Sequence, residues 1–422
     1  MEKALTSTDA DGNLILEIKE SGLFELAARE MPASRYRRTN DILTMRFGDD
    51  SGTIVLEPRG IVTTEWLGPR SIIRVVPKFG IGSCLQLLLF SEHEAETVGL
   101  DELKFEAEEA GLLSTVTRRF IESLEPIRRF GALWMDERYE FVSDSMEGNV
   151  DWIKSVVTSS ASSQVALEQV GHHPSWLAPP NIQIACALSV LADQPRGTFP
   201  LDLRSRILSA ATEWGSMVPN PSTSVESILQ NCESFGLPHG REYYHPAILI
   251  SRLILTNAVP SLMLGKEIEH VPIRYPLPRL FEKACRRAAQ LALGPRHLVV
   301  DARDHFARTR GNQLFSGDSP LEIRLFPDIV VLSSGTLDVK GVADVKYLET
   351  PGAADYYQIL AYMEAFDLEI GAIIYPGPRN YIRPLPTRKG RLVNLVTLDL
   401  SDVGAALEFI RQRAKKEIFC FL

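Results

Sequence analysis

The sequence predicts a mixed α/β chain, more narrowly α+β, and three observations predict it. Residues 1–100 break into short apolar or alternating runs separated by turn signals. Residues 101–265 carry apolar positions mainly at helical spacing. In residues 266–422 helices and strands interleave, which is the pattern of a mixed sheet flanked by helices. Three regions follow: an N-terminal β-rich module, a mainly helical connecting region, and a C-terminal region with a mixed sheet flanked by helices.

In the first region the runs Leu14–Ile18, Ile42–Phe47, Thr53–Pro58, Gly60–Trp66 and Ser71–Pro77 read as strands. Gly48-Asp49-Asp50 and Gly68-Pro69 mark turns between them. Ser83–His93 reads as a short helix with a strongly apolar face. In the middle region Leu112–Leu124, Asn181–Ala192 and Leu201–Trp214 fit helices, and Pro246–Leu255 opens with a proline suited to a first helical turn. Thr158–Gln164 and residues 219–224, rich in Ser, Thr and Pro, read as loops. The last region gives a helix over Pro278–Leu293 and a short strand over His297–Val300. Strands Ile323–Val331 and Thr336–Lys346 are joined by a Ser333-Ser334-Gly335 turn, which suggests a hairpin. A helix over Ala354–Phe366, strands over Ile370–Tyr375 and Asn394–Asp399, and a helix over Val403–Lys415 complete it.

Composition excludes some classes of function. The chain has 422 residues, 45% hydrophobic and 23% charged, enough to bury a sizeable core. Its net charge of −9 argues against coating nucleic acid by bulk charge, which needs many Lys and Arg contacts to phosphate. It leaves room for a local basic groove beside an acidic site. Five scattered cysteines without a CxxC pair suggest a reduced, cytoplasmic chain. The polar start and the absence of a long apolar run predict neither a signal peptide nor a membrane span. The sequence has no GxxxxGK[ST], so any nucleotide hydrolysis must come from another chain.

One constellation carries chemistry. Pro327-Asp328 stands at one strand of the predicted hairpin and Asp344-Val345-Lys346-Tyr347 on the other. Asp344 and Lys346 are two apart, so both face one side of the sheet, and Asp328 reaches that side from the neighbouring strand. Ile329, Val330 and Val345 pack between them and hold the polar groups rigid. Carboxylates bind Mg²⁺, which keeps waters of its own. A metal-bound water is acidic enough to attack phosphorus, and metal and ammonium together stabilise the charge that develops. The following helix places Gln358 and Tyr362 four residues apart on one face, as donors to a DNA strand or to the ligands.

The ordered set PD, DVKY and DYYQILAY resembles the PD-(D/E)xK superfamily of nucleases, in the branch with a trailing QxxxY helix. Within it the sequence is most similar to the McrC family, the nuclease subunits of McrBC-type modification-dependent restriction systems. Arg279-Leu280-Phe281-Glu282, Val75-Val76-Pro77-Lys78 and Tyr244-His245-Pro246-Ala247 are similar to segments of that family. The likeness covers 275–376 well and 1–270 more loosely. It implies a Mg²⁺-dependent DNA endonuclease, with Mn²⁺ as a substitute metal. It implies docking on a hexameric McrB-like AAA+ GTPase whose hydrolysis it stimulates, and double-stranded, modified DNA as substrate. Asp328 and Asp344 would be metal ligands, Lys346 the catalytic lysine, and Glu282 a further ligand or a group behind the ligands. Gln358, Tyr362 and Tyr347 would contact DNA or brace the site. Asp338-Val339-Lys340 is a second DxK in the same predicted strand. Two other readings stay open: a non-cleaving subunit that activates the AAA+ partner, and a stand-alone RecB-like repair nuclease.

Other features allow bland readings beside sharp ones. Arg286, Arg287, Arg296, Arg303, Arg308 and Arg310 line a DNA groove or are solvated charge. Arg35-Tyr36-Arg37-Arg38 meets DNA or an acidic partner, or is a solvated turn. His172-His173 reads as a loop pair without a cluster of carboxylates at ligand spacing. Trp66, Trp134 and Trp176 read as core rather than as base-stacking platforms.

Overall fold

The computed structural model describes residues 2–8, 14–27, 42–47, 53–68, 71–92, 112–162, 164–194, 196–218, 224–258, 273–306, 313–314 and 323–419. The chain forms two compact units, one of residues 1–115 with 272–422 and one of residues 116–271. Its class is mixed α+β, as the sequence predicts.

The first unit is organised around a six-stranded sheet. Its order is His297–Val300, Ile329–Ser333, Val339–Val345, Ile370–Pro376, Leu392–Leu398, Tyr381–Pro386. Ile329–Ser333 and Val339–Val345 pair antiparallel, as the predicted hairpin requires. Val339–Val345, Ile370–Pro376 and Leu392–Leu398 then run parallel. A parallel step needs a crossover, and helix Ala353–Ala365 supplies the first one. That helix buries Ile359, Tyr362 and Met363 against one face of the sheet. Helices Leu277–Leu293 and Val403–Arg413 cover the other face. The strands between these layers are apolar on both sides, which is why Val339–Val345 and Ile370–Pro376 read as continuous runs rather than alternations.

Gly371 lets the crossover helix sit close. A Cβ there would lie 2.9 Å from Met363 Cγ and 3.1 Å from Ile359 Cγ1. Gly371→Ala is therefore expected to cost about 1–3 kcal/mol of stability, the usual scale of overpacking. Denaturant unfolding against wild type checks this.

Two smaller sheets in the same unit come mostly from the N-terminal residues. A five-stranded sheet orders Arg274–Pro276, Ile61–Gly68, Ser71–Val76, Leu14–Lys19 and Leu5–Thr8. A four-stranded sheet orders Glu2–Lys3, Phe24–Ala27, Thr53–Pro58 and Leu43–Phe47. Leu16, Ile18, Ile73 and Val75 of the first pack with Phe24, Leu26, Ile54 and Leu56 of the second. Arg274–Pro276 pairs with Ile61–Gly68 immediately before the helix at Leu277 begins. Helix Ile81–Glu92 places Leu87 and Phe90 in the same core as Phe281, Ala343 and Ile410. N-terminal and C-terminal segments thus share one core.

The second unit is less helical than its sequence pattern. Helix Pro179–Ala192 packs against Leu201–Met217, Val225–Ser234 and His245–Asn257, as expected for the helical segments. A buried network joins them: Tyr244 donates to Asn181 Oδ1 at 2.8 Å, and Leu133 N donates to the Tyr244 hydroxyl at 2.7 Å. Beside it, Met135–Ser143 and Leu167–Ser175 form a nine-residue antiparallel pair, extended by Asn149–Val150. This corrects the mainly helical reading. The strands hide because polar residues interrupt them, Asp136-Glu137-Arg138 on one and His172-His173 on the other. Residues 158–162 belong to helix Trp152–Ser162, not to a loop; hydroxyls there find partners such as Glu168 for Thr158 and Val156 O for Ser160. His172-His173 lies on a strand rather than a loop, 3.4 Å from Asp136 Oδ2 and 3.8 Å from Glu137 Oε2 respectively. Trp134 and Trp176 are exposed rather than core. The Arg35–Arg38 run, Arg308 and Arg310 and the Trp66 side chain lie outside the described residues.

Candidate active site

Pro327 has no N–H to offer the ladder and stands just before the strand that begins at Ile329. Asp328 follows it, buried, with Oδ2 accepting from Val345 N at 2.8 Å. The antiparallel ladder between these strands reaches Ile329 and Ala343. Beyond it the Asp328 carboxylate takes the place of a strand carbonyl and locks its own position to the strand that carries Asp344. On that strand's other side, Lys346 N donates to Ile374 O at 2.8 Å, so the backbone around the DVK segment is held from both neighbours.

Asp344 is 1% exposed. Its buried Oδ2 forms an ion pair with Lys346 Nζ at 2.8 Å. Lys346 Nζ donates to Gln358 Oε1 at 2.9 Å and lies 3.8 Å from Asp355 Oδ1. Gln358 Nε2 donates to the Tyr362 hydroxyl. Asp355 also caps its helix, accepting from Gly352 N at 2.8 Å. The sequence-predicted Asp328, Asp344, Lys346, Gln358 and Tyr362 therefore meet at one place.

The charges there are under strain. Burial, and then the charge of Asp328, push the Asp344 carboxyl up to about 7, against the pull of Lys346. Burial raises Asp328 as well, opposed by the Val345 N–H and by Lys346. Glu282, on helix Leu277–Leu293, is pushed up to about 7 by burial and then by Asp328, while Arg303 and Arg286 oppose the shift. For Lys346 burial works against the charge, but the Asp344 carboxylate outweighs it and the ammonium is held more firmly protonated than usual. Clustered carboxylates raised by burial and by one another are the usual mark of a functional site.

Among the described residues no group of three His, Cys, Asp or Glu side chains is close enough to hold a metal ion. Glu282 is thus not gathered with Asp328 and Asp344 into a three-ligand set. The pair alone has the donor chemistry for a hard cation, because Mg²⁺ is commonly held by one or two carboxylates and completes its shell with water and phosphate. Asp344 Oδ2 is buried with the Lys346 ammonium beside it and no hydrogen-bond donor in regular geometry, so it can take up a metal cation as a further partner.

The family match coincides with this place. Residues 203–376 match the McrBC 5-methylcytosine restriction system component family. The McrBC match spans Glu282, Asp328, Asp344, Lys346, Gln358 and Tyr362. The fold agrees over nearly the whole chain. It is similar to McrC as solved in a half-complex of a tetradecameric assembly of Thermococcus gammatolerans McrB AAA+ hexamers with bound McrC. The TM-score is 0.60 at 12% identity, covering 94% of this chain and 98% of that chain. A second structure of the Thermococcus gammatolerans McrBC complex gives a TM-score of 0.43 at 10% identity, over 67% of this chain and 88% of that chain. No curated protein sequence matches the chain. The McrC-type resemblance read from the sequence is borne out by the McrBC family match and by the fold.

Tyr347 is placed elsewhere than its neighbour Lys346. Its hydroxyl donates to Glu20 Oε1 at 3.1 Å, and its ring packs edge-on against Phe79 and Phe281. Successive residues on extended backbone point oppositely, so Tyr347 joins the DVK segment to the N-terminal sheet while Lys346 faces the carboxylates. The second DxK separates cleanly. Asp338 and Lys340 are exposed and pair with each other at 3.6 Å, and Thr336 donates to Asp338 at 2.7 Å.

Sequence reasoning passed over two neighbours of the site. Asp355 has a signal that was there to find, one helical turn before Gln358. Asp301 and its brace to Arg286 had none, since the contact joins residues fifteen apart across a helix end and a strand: Arg286 Nη2 donates to Asp301 Oδ2 at 2.6 Å and Nε to Asp328 O at 2.9 Å.

Proposed function

We propose that this chain is the DNA-cleaving subunit of a modification-dependent restriction complex: a Mg²⁺-dependent, PD-(D/E)xK-type endonuclease that works docked on a hexameric AAA+ GTPase. The observation that carries the reading is the buried Asp328–Asp344 pair with Lys346 beside it. A structural ion pair has no need of two buried carboxylates against one ammonium, because each buried charge costs free energy.

Asp328 and Asp344 would hold Mg²⁺, or Mn²⁺ in its place. When bound, the metal supplies an acidified water and neutralises charge on the phosphate. The protein's own part is positional and electrostatic. Lys346 Nζ, held by Gln358 Oε1 and Asp344, presents positive charge where phosphorane oxygens form. Gln358 and Tyr362 fix the direction of that ammonium through their own hydrogen bond. Asp355 keeps the opening turn of their helix in place. Glu282, raised in pKa, remains a carboxyl close enough to Asp328 to tune it.

A partner fits the second unit's surface. Helix Trp152–Ser162 leaves Trp152, Ile153, Val156 and Val157 exposed, with Ile153 at 82%. Contiguous exposed apolar side chains of this kind mark interaction surfaces. The similar McrC was solved bound to AAA+ hexamers, and an AAA+ GTPase is the partner proposed here.

The test is a plasmid carrying 5-methylcytosine, incubated with this chain, an McrB-type AAA+ GTPase, GTP and Mg²⁺. Linear or fragmented DNA is expected with Mg²⁺ or Mn²⁺ and intact plasmid with EDTA. Accelerated GTP hydrolysis with intact plasmid, across differently modified DNAs, would make the chain a regulatory subunit instead.

A further inference from the structure

The active-site lysine is already engaged. Asp344, Gln358 and Asp355 surround Lys346 Nζ, and the residue is mostly buried. With three carboxyls around one committed ammonium, and the proposed metal taken up by two of them, a phosphate beside the site gains from a further cation that is not spent on a carboxylate.

Among the six arginines that flank this region in sequence, the structure separates the roles. Arg286 is spent on Asp301 and on Asp328 O. Arg287 donates to Phe90 O at 3.3 Å, with its guanidinium 5.6 Å from the Phe90 ring centre. Arg296 precedes His297, which pairs with Ser333 at the strand end remote from Asp328. The intervening five residues of strand put it roughly 15 Å away. Arg308 and Arg310 lie outside the described residues.

Arg303 is different. It sits on the short helix Ala302–Phe306, and its side chain is exposed. Its position is fixed by the backbone, with Arg303 N donating to Asp301 Oδ1 at 2.9 Å and Ala302 N to Pro327 O at 3.4 Å. Asp301 is in turn clamped to Arg286, which holds Asp328 O. Two short links therefore join Arg303 to the Pro327-Asp328 segment. Among the described residues its guanidinium makes no hydrogen bond or ion pair. Its positive charge is felt at Glu282, Asp328 and Tyr362, three side chains from three different elements around the site.

We propose that Arg303 is the phosphate-binding residue of this site, taking a phosphate of the cleaved strand through its guanidinium. Arginine suits the task because its planar fork meets two phosphate oxygens at once and never loses its charge. The Asp301–Arg286 brace then has a purpose beyond packing: it sets Arg303 against Asp328, so the phosphate grip and the carboxylates move as one body. This assignment rests on the reading of the chain as a DNA-cleaving subunit.

The experiment compares wild type, Arg303→Ala, Arg303→Lys and Asp344→Ala, each assembled with the AAA+ protein and GTP on methylated plasmid. GTP turnover and thermal midpoint are measured alongside cleavage. Arg303→Ala is expected to slow cleavage about 100-fold, the scale of one lost charge-stabilising donor, with GTP turnover and midpoint unchanged. Arg303→Lys is expected to recover part of the rate, and raising salt to slow Arg303→Ala less steeply than wild type. If Arg303→Ala cuts like wild type while Asp344→Ala is dead, the assignment of Arg303 is wrong and the nuclease reading stands. If Arg303→Lys is as slow as Arg303→Ala and both melt earlier, Arg303 is a structural residue and the proposal falls. If Asp344→Ala itself cuts, the nuclease reading fails and takes this inference with it.

Discussion

Lys346→Arg is expected to cut DNA about 100- to 1,000-fold more slowly than wild type, although the charge is kept, because one misplaced electrostatic donor costs that much. The pocket is shaped for a compact ammonium. Nζ lies 2.8 Å from Asp344 Oδ2 and 2.9 Å from Gln358 Oε1, and the side chain is 22% exposed. A guanidinium is planar and wider, and to meet the same acceptors it must push Gln358 off Tyr362 or leave the plane of the carboxylate. The affected step is the chemical one. Partner binding and GTP turnover by the complex are expected to stay at wild-type values, and initial cleavage rates on a methylated plasmid measure the difference.

Asp344→Asn is expected to give a dead enzyme that is more stable than wild type at alkaline pH. Asp344 is nearly inaccessible, and its folded pKa is raised to about 7 by burial and by Asp328. A carboxyl whose folded pKa is raised favours the native state while protonated. Its contribution is full below the ordinary carboxyl range and is lost as pH rises from there through about 7. Wild type without metal is therefore expected to unfold more easily at pH 8 than at pH 5.5, by about 1–3 kcal/mol once coupling to Asp328 is discounted. The asparagine has no charge to desolvate, so this slope flattens and stability at pH 8 rises by about the same amount. Denaturant midpoints in EDTA at the two pH values check the sign. Adding Mg²⁺ is expected to restore wild type at pH 8 and leave Asp344→Asn unmoved, since a cation binds the ionised pair and stabilises the state that holds it. Stability surrendered for function in this way is common where a site needs a buried charge.

The C-terminal core was largely legible because its strands announce themselves by apolar runs and its chemistry by spacing. Asp344 and Lys346 two apart, and Gln358 and Tyr362 four apart, state their shared faces without any tertiary information. Strand Tyr381–Pro386 was missed because Pro384 and Pro386 disqualify a central strand, and it lies at the sheet's edge where such residues are tolerated. The hairpin of Met135–Ser143 and Leu167–Ser175 was missed because charged residues interrupt Met135, Tyr139 and Phe141 on the first strand and His172, His173 and Pro174 break the pattern of the second. Gly171 hints at it only in hindsight, for a Cβ there would collide with the Tyr139 ring at 2.5 Å. Tyr347 could not be placed from sequence at all. Its partner Glu20 is 327 residues away, and no local rule connects the two.

The measurement that tests the account most directly is cleavage of a methylated plasmid by Asp344→Ala beside wild type, in complexes matched for GTP turnover. The account predicts DNA cut by wild type and left intact by the mutant at equal GTP turnover. Equal cutting by both would place the nuclease centre away from Asp328, Asp344 and Lys346 and contradict the account.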